Sequence, residues 1–306
     1  MNNKFLEKIN CPICRSKNYT IIMEDKYKKL DYKKIKKIYL SSSNHKLIDQ
    51  LVKCKECDFF YSNPRIKINL ISIGYKNNPD EMFVKQNHYR FKSFLMNFKR
   101  ILNILKIKNK KNIRILDVGT GGGTFILAAK KLNLNIDGLE PNKWLVNFIK
   151  NKYKINVYPR TLENFKTNHK YDIICFWDVF EHLGDLNLTL KTCKKILNKD
   201  GFILINLPDY GSIFRKILGD KWPFFLNVHL YYFQKKTLKR LMENYNFKFK
   251  KKLMHWQFLS IKYILKRAGN YYKFFNKINK LISKKNDFGV WYNIGQSIYL
   301  FQNDKK

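Results

Sequence analysis

The 306-residue chain has few acidic side chains, no long apolar stretch and only six cysteines. No stretch reaches the roughly 18 consecutive apolar residues that a membrane-spanning helix needs, so no transmembrane segment is predicted. The first ten residues are charged and lack the apolar block of a signal peptide. These absences predict a cytoplasmic protein whose cysteines are not paired in disulfides.

The scarcity of acidic residues leaves a large excess of positive charge. Asp and Glu total 23 against 61 Lys and Arg, which gives a formal net charge of +38. One interpretation is a polyanionic partner: nucleic acid, an anionic membrane or a phosphorylated substrate. The other is codon bias, because an AT-rich genome favours Lys, Asn, Ile, Phe and Tyr. The sequence leaves both interpretations open.

The apolar pattern predicts an α/β fold. Short apolar runs alternate with helical patterns, which indicates a parallel sheet covered by helices on both faces. An amphipathic helix over 85–108 precedes the first of these runs. The predicted strands cover residues 113–118, 135–139, 155–158, 171–177, 202–207, 247–254 and 291–301.

A glycine-rich loop follows the first of these strands. Gly119 and Gly121 let the chain turn tightly and let a ligand approach the backbone, where a Cβ would clash. Glu140 ends the next predicted strand, 21 positions after Gly119, where a carboxylate can accept hydrogen bonds from ribose hydroxyls. Dinucleotide enzymes require Gly or Ala at the position of Thr124, so the loop favours a different adenosyl cofactor.

The pattern Asp117-x-Gly119-x-Gly121-x-Gly123 resembles the first strand of class I S-adenosylmethionine-dependent methyltransferases. Segments at 171–174, 178–183 and 197–208 resemble that family's fourth and fifth strand regions, in the right order. The resemblance covers about two thirds of the chain. It implies a Rossmann-like domain with a mostly parallel seven-stranded sheet and S-adenosylmethionine as the cofactor.

The resemblance also implies roles for individual residues. Asp117, Gly119 and Gly121 would line the amino acid part of the cofactor, and Glu140 would hold the ribose. The segment 161–163 would lie by the adenine. Phe176 and Trp177 would close over the cofactor, although Trp177 could equally be an ordinary core residue. The complete set of predicted cofactor-binding residues is Asp117, Gly119, Thr120, Gly121, Gly123, Glu140, Pro141, Leu162, Glu163, Phe176 and Trp177.

The chain lacks two motifs that would identify a nucleic-acid base as the methyl acceptor. No Pro-Pro-aromatic motif follows the strand at 171–177, and no proline precedes Cys175. The segment 222–233 resembles a bacterial subgroup related to ubiquinone-type O-methyltransferases, whose members often accompany enzymes of sugar and surface-polysaccharide biosynthesis. His229 could act there as a general base toward a hydroxyl, or it could simply pack in the loop. His182, beside Glu181, is the second catalytic candidate.

Two Cys-x-x-Cys knuckles near the start of the chain predict a structural zinc site. Cys11 and Cys14 form the first, and Cys54 and Cys57 the second. Four thiolates at this spacing suit tetrahedral zinc and leave no open position for catalysis. The 39 residues between the knuckles exceed the usual spacing. The second knuckle and the residues after it resemble the zinc-ribbon-like leader of the same methyltransferase subgroup.

A basic helical insert is predicted at 260–287, with apolar residues at helical spacing and lysines on much of the remainder. It could contact the inner face of an anionic membrane, or it could be a helical pair packed on the domain. The chain divides into a zinc-ribbon-like module at 1–65, a connector with an N-terminal helix at 66–110 and a methyltransferase domain at 111–306.

The favoured function is methyl transfer to an oxygen, or less favourably a carbon, of a small metabolite. A sugar nucleotide or a surface-polysaccharide intermediate is the favoured acceptor. An RNA methyltransferase is one alternative, based on the charge and the zinc-type module. A non-catalytic interaction protein that retains the fold is the other.

Overall fold

The computed structural model describes residues 3–26, 45–107, 112–283 and 287–304. Residues 27–44 of the predicted module, 108–110 of the predicted connector, and 284–286 of the predicted insert lie outside the described residues. The chain begins with five short strands: β1 (Leu6–Glu7), β2 (Tyr19–Met23), β3 (Leu51–Cys54), β4 (Phe60–Ser62) and β5 (Arg65–Ile66). Strand β3 lies between β2 and β4 in one antiparallel sheet, and β1 pairs with β5.

The predicted connector contains helices. Helix α1 (Ile68–Asn77) is followed by the short α2 (Glu81–Val84) and then by α3 (Asn87–Ile104), which is the predicted amphipathic helix. Asp80 begins α2 by accepting a hydrogen bond from the backbone N–H of Phe83. No helix within the described ranges is both long and apolar enough to cross a lipid bilayer.

Strands and helices then alternate along the rest of the chain. They are β6 (Arg114–Val118), α4 (Thr124–Lys131), β7 (Asn135–Leu139), α5 (Lys143–Tyr153), β8 (Tyr171–Trp177), α6 (Leu186–Ile196), β9 (Leu197–Pro208), α7 (Ile213–Leu218), β10 (Tyr231–Tyr232), α8 (Lys235–Glu243), β11 (Phe247–Met254), β12 (Gln257–Ser260), α9 (Ile261–Ala268), α10 (Lys273–Leu281), β13 (Gly289–Tyr292) and β14 (Gln296–Asn303).

The central sheet has the strand order β11-β14-β9-β8-β6-β7. The last four of these are parallel, and β14 and β11 are added antiparallel at the other edge. Strand β8 shows why the sheet is buried on both faces. Ile173 and Cys175 pack with α3 and α4 on one face, whereas Ile174 packs with α6 and α8 on the other. This arrangement confirms the predicted Rossmann-like class.

The predicted seven-stranded sheet has six strands within the described residues. The predicted strand at 155–158 is reduced to a single parallel bridge between Tyr158 and Leu139. Pro159 follows directly, and its missing N–H and fixed φ end the pairing there. The predicted strand at 291–301 is two strands, because the Asn293 side chain closes a turn between β13 and β14 by donating to the carbonyl oxygens of His255 and Gln296.

The N-terminal module is joined to the main domain by shared strands. Strand β10 pairs with β4 and completes the module's sheet, so strand pairing crosses the predicted division at residue 65. The buried Arg65 guanidinium donates hydrogen bonds to Glu7 in the module, to the Tyr231 hydroxyl and to the Gly184 carbonyl oxygen. Because these three bonds involve a buried cation, the orientation of the module relative to the sheet is tightly fixed.

The predicted basic insert forms β12, α9, α10 and β13. Ser260 caps α9 by accepting from the N–H of Tyr263, and its hydroxyl donates to the Asp287 carboxylate. Tyr263 and Leu265 are buried, so α9 packs on the domain. For this helix, packing on the domain was the second of the two interpretations of the segment. Helix α10 contains no buried residue.

Candidate active site

A cavity of about 1400 Å³ opens above the carboxyl ends of β6, β7 and β8. Ligands of open α/β sheets bind at this edge. Besides the loops that follow these strands, the walls include parts of the N-terminal module, helices α1 to α3, the segment 218–231 and the insert. The glycine loop lies at one end of the cavity, and the two predicted catalytic histidines also line it.

The glycine loop has the conformation that the sequence predicts. Gly119 and Gly121 both have positive φ angles, of +74° and +57°. A Cβ on Gly119 would lie 2.5 Å from the Val179 side chain, and one on Gly121 would lie 2.9 Å from the Phe83 ring. Both glycines, together with Thr120, line the cavity. Gly123 lies just before α4 and does not line it.

Asp117 lies directly below this loop and is 1% exposed. Neither carboxylate oxygen has a hydrogen-bond partner among the described residues, although the side chain lines the cavity. Burial raises the pKa of Asp117 from its ordinary value near 3.8 to about 8; the nearby Thr120 hydroxyl opposes this shift, and the Glu140 charge adds to it. A buried carboxylate without a partner is costly, and a cationic ligand group such as an α-amino group would offset the cost.

Glu140 lies behind the cavity wall and is fully buried. One oxygen accepts a hydrogen bond from the Gly121 N–H at 2.7 Å, and the other accepts one from the Asn142 N–H at 2.8 Å. Burial raises the pKa of Glu140 to about 7, and these two bonds oppose the shift. Glu140 therefore ties the glycine loop to the start of α5, while its neighbour Pro141 lines the cavity. Its predicted contact with a ribose stays a prediction.

Leu162 and Glu163 line the cavity beyond the loop. The Glu163 carboxylate accepts a hydrogen bond from the Thr189 hydroxyl at 2.6 Å, which fixes this turn against α6. Trp177 also lines the cavity, where its ring packs on Phe125. Phe176 does not reach it, because successive side chains of a strand point to opposite faces. Phe176 is fully buried on the other face of β8, so the structure contradicts its predicted place over the cofactor.

Arg90 is a site residue that the sequence reasoning missed. It lies on α3, lines the cavity and stacks at 3.9 Å over the Phe83 ring that covers Gly121. Its buried Nη1 has no hydrogen-bond partner among the described residues. Arg90 therefore provides a cation beside the glycine loop that can bind a ligand carboxylate. The sequence does contain an indication that Arg90 faces inward, because it lies one turn before Phe94 on the apolar face of the helix.

The two predicted catalytic histidines lie together. Their ring centroids are 4.8 Å apart, and each Nδ1 lies against a carbonyl oxygen: that of Val228 for His182 and that of Phe224 for His229. A carbonyl can only accept, so each Nδ1 carries the proton and Nε2 of each neutral ring carries the lone pair. Burial lowers the pKa of His182 to about 4 and that of His229 well below its ordinary value.

Glu181 completes this cluster. Its carboxylate lies 4.0 Å from Nε2 of His229, and neither of its oxygens has a hydrogen-bond partner among the described residues. Burial and the nearby Asp178 raise the pKa of Glu181 well above its ordinary value. One ligand atom from each of Glu181, His182 and His229 lies within 4.8 Å of the others. The cluster can therefore accept a proton, and its donor atoms could also hold a divalent cation.

His255 is a second residue that the sequence reasoning did not place in the site. It lines the cavity and packs against Trp177, with ring centroids 5.6 Å apart. Neither ring nitrogen has a hydrogen-bond partner among the described residues. Burial lowers the pKa of His255 to about 3, so its imidazole is neutral near pH 7.

The four predicted metal ligands come together in the N-terminal module. The Sγ atoms of Cys11 and Cys57 are 3.5 Å apart, those of Cys14 and Cys54 are 3.4 Å apart, and all four lie within 4.8 Å of one another. These distances are too long for disulfides. They match the roughly 3.8 Å between sulfurs that share a tetrahedral zinc with bonds of about 2.3 Å.

A glycine loop between a buried strand and a helix, a buried acid after the next strand and a deep cavity above both define a Rossmann-like cofactor-binding domain. The sequence model of the family described as "Methyltransferase domain" matches residues 86–252, more than half of the chain. The chain belongs to this family, which confirms the resemblance seen in the glycine loop. Family membership supports S-adenosylmethionine as the cofactor.

Similar proteins include the ubiquinone biosynthesis O-methyltransferase of Pelagibacter ubique (strain HTCC1062). It is 31% identical over 103 residues, which are 32% of this chain and 43% of that protein. The protein of the same name from Rickettsia typhi is 26% identical over 147 residues, which are 46% of this chain and 58% of that protein. These matches span less than two thirds of either relative. A solved S-adenosylmethionine-dependent methyltransferase from Archaeoglobus fulgidus aligns over 73% of this chain and 100% of that one, with 18% identity and a TM-score of 0.48.

The raised pKa of Asp117 predicts a conflict between stability and cofactor binding. Because the folded-state pKa exceeds the unfolded value, the apoprotein loses stability as pH rises from about 4 to about 8. We expect the apo form of Asp117→Asn to unfold at a higher temperature than the wild type at pH 8.5. This difference should shrink as pH falls toward 4. The same variant should bind S-adenosylmethionine at least about tenfold more weakly. Equal pH dependence in both proteins would contradict the assignment.

Proposed function

We propose that the protein transfers a methyl group from S-adenosylmethionine to an oxygen of a small metabolite. The observation that carries the proposal is the unpartnered, buried Asp117 carboxylate, which faces the same cavity as the His229 imidazole. The first provides a site for the cofactor's cationic amino group, and the second provides a base for an acceptor hydroxyl. The O-methyltransferase relatives support oxygen over carbon as the acceptor atom.

Different residues of the cavity would bind different parts of the cofactor. Asp117 would bind the amino group, Arg90 the carboxylate, and Leu162 with Glu163 would border the adenine. S-adenosylmethionine supplies an activated methyl group and needs little further activation. The protein's task is to align the acceptor with that methyl and to exclude water.

His229 is the base that we propose for the acceptor hydroxyl. Its Nδ1–H donates to the Phe224 carbonyl oxygen, which holds the ring and leaves the lone pair of Nε2 available. The acceptor proton would move to Nε2 as the oxygen attacks the methyl group. The Glu181 carboxyl group, 4.0 Å from Nε2, is the acidic group placed beside the imidazolium that this transfer would form.

The favoured acceptor is a sugar nucleotide or a surface-polysaccharide intermediate. Two features of the cavity support a small acceptor over RNA. The reacting groups are buried side chains, since His229 is 5% exposed and Glu181 is 2% exposed. The aromatic side chains of Phe224, Tyr271 and Tyr272 line the same cavity, and such rings pack well against sugars and bases.

Titration calorimetry with S-adenosylmethionine tests the cofactor part of the proposal. We expect micromolar binding by the wild type and a loss of about tenfold or more in Arg90→Gln, because the bond to the carboxylate is charge-assisted. Lys99→Gln is the matched control, since it removes the same charge from an exposed position on the same helix. Folded wild-type protein that does not bind the cofactor would refute the enzyme function.

The role of His229 is tested by methyl-transfer rates in a screen that begins with sugar nucleotides. We expect His229→Gln to lower kcat by about 10²- to 10⁴-fold while cofactor affinity is kept. His88→Gln, an exposed histidine on α3, should leave the rate unchanged. Because the pKa of His229 is lowered, wild-type kcat/KM should show no loss of this base down to pH 6.5. A loss below about tenfold in His229→Gln would assign the residue to packing.

We propose that the four clustered thiols bind one structural zinc ion. Burial raises the pKa of Cys11 to about 12, so a thiolate there needs a cation to stabilise it. A zinc ion would supply that charge, and four sulfur ligands would leave it no catalytic position.

Metal analysis of the purified protein tests the zinc proposal. We expect about one zinc per chain, a large loss of zinc in Cys54→Ser, and a lower unfolding temperature after chelation. Cys193→Ser is the control, because Cys193 is a buried cysteine outside the cluster. Wild-type protein that is folded and free of metal would contradict the proposal.

A further inference from the structure

Arg267 is a cationic side chain in the part of the cavity that contains His229. It lies on α9, lines the cavity and donates a hydrogen bond to the Tyr263 hydroxyl at 3.1 Å. No carboxylate among the described residues lies within ion-pair distance of it. A partly buried guanidinium whose protein partner is a neutral hydroxyl is incompletely compensated.

Several tyrosine side chains lie around Arg267. Tyr263, Tyr271 and Tyr292 all line the same part of the cavity. Burial alone would raise the pKa of Tyr263, yet Arg267 and Arg90 together lower it below its ordinary value. The effect of the two guanidiniums on the Tyr263 hydroxyl outweighs that of burial and of the Asp80 charge, which favours an anion at this position. Asp178, which also lines the cavity, is an acidic group that both guanidiniums act on.

Arg267 and Arg90 differ in what they face. Arg90 stacks on Phe83 beside the glycine loop, whereas Arg267 lies close enough to His229 to contribute to lowering its pKa. Lys221 also lines the cavity and lies 5.0 Å from the centre of the Tyr272 ring. Arg90 is therefore positioned to bind the cofactor. Arg267 is positioned to bind the molecule from which His229 would take a proton.

We propose that Arg267 binds an oxyanion of the methyl acceptor, so that the acceptor class is a hydroxyl compound bearing a phosphate or carboxylate group. This inference rests on the proposed function, because it assumes that the ligand beside His229 is the acceptor. The planar guanidinium suits both kinds of oxyanion through two parallel hydrogen bonds. The anion would hold the acceptor hydroxyl near Nε2 of His229.

The test measures anion binding by calorimetry at fixed ionic strength, with and without saturating S-adenosylmethionine. Inorganic pyrophosphate is the phosphate probe, and sodium benzoate is the carboxylate probe. The variants are Arg267→Gln and Arg267→Lys. Lys266→Gln is the matched control, because Lys266 is the exposed neighbour on the same helix and does not line the cavity. Binding of S-adenosylmethionine alone is measured for every protein as a check of folding.

We expect at least one probe to bind the wild type. Arg267→Gln should weaken that binding about tenfold or more, Arg267→Lys should weaken it less, and Lys266→Gln should leave it within about twofold. The probe that depends more strongly on Arg267 identifies the phosphate or carboxylate class. The inference is overturned if Arg267→Gln and Lys266→Gln behave alike, or if Arg267→Gln loses S-adenosylmethionine binding instead. Anion binding that depends on Arg267 in a protein that never binds S-adenosylmethionine would keep the anion site and refute only the methyltransferase function.

Discussion

The two hydrogen bonds accepted by Glu140 are the interaction on which the cofactor end of the cavity depends. They join the glycine loop at Gly121 to the start of α5 at Asn142, and they are made in a fully buried position. With the loop held in this way, Gly119 and Gly121 keep their positive φ angles and α4 begins at the right place. The Asp117 side chain below the loop is then left facing the cavity without a partner. A rigid loop above a carboxyl group without a hydrogen-bond partner is a preorganised ligand site, because the free energy needed to arrange it is spent in folding rather than in binding.

Features encoded by local spacing were predictable from the sequence, and features created by packing were not. The loop at 117–123 and the two cysteine knuckles are short patterns whose geometry follows from their own residues. Arg90 and Arg267 reach the cavity from helices far apart in the chain, and each resembles any other charged residue of an amphipathic helix. The positions of Phe176 and Trp177 depend on both local spacing and packing. Alternation places them on opposite faces of β8, but only the packing of the surrounding helices decides which face opens on the cavity.

The basic residues of the insert lie in two different environments. Helix α9 faces inward with Tyr263 and Leu265, and its Arg267 lies in the cavity, whereas its neighbour Lys266 is exposed. One helix therefore carries both a solvated charge and a charge that the protein partly encloses. The two differ in energetic consequence, since an exposed lysine interacts weakly with its surroundings and an enclosed guanidinium requires a partner.

The backbone of Leu230 connects the cysteine module to the cluster of Glu181, His182 and His229. Its carbonyl oxygen accepts from the Ser62 N–H of β4, and its own N–H donates to the Glu181 carbonyl oxygen, one residue after His229. Strand β4 in turn pairs with β3, which carries Cys54. Backbone hydrogen bonds thus form a continuous path from the thiol knuckles to Glu181 and the neighbour of His229. If the four thiols bind zinc as proposed, loss of that zinc would disturb the backbone segment that carries His229, whereas the glycine loop has no strand pairing with the described residues of the cysteine module.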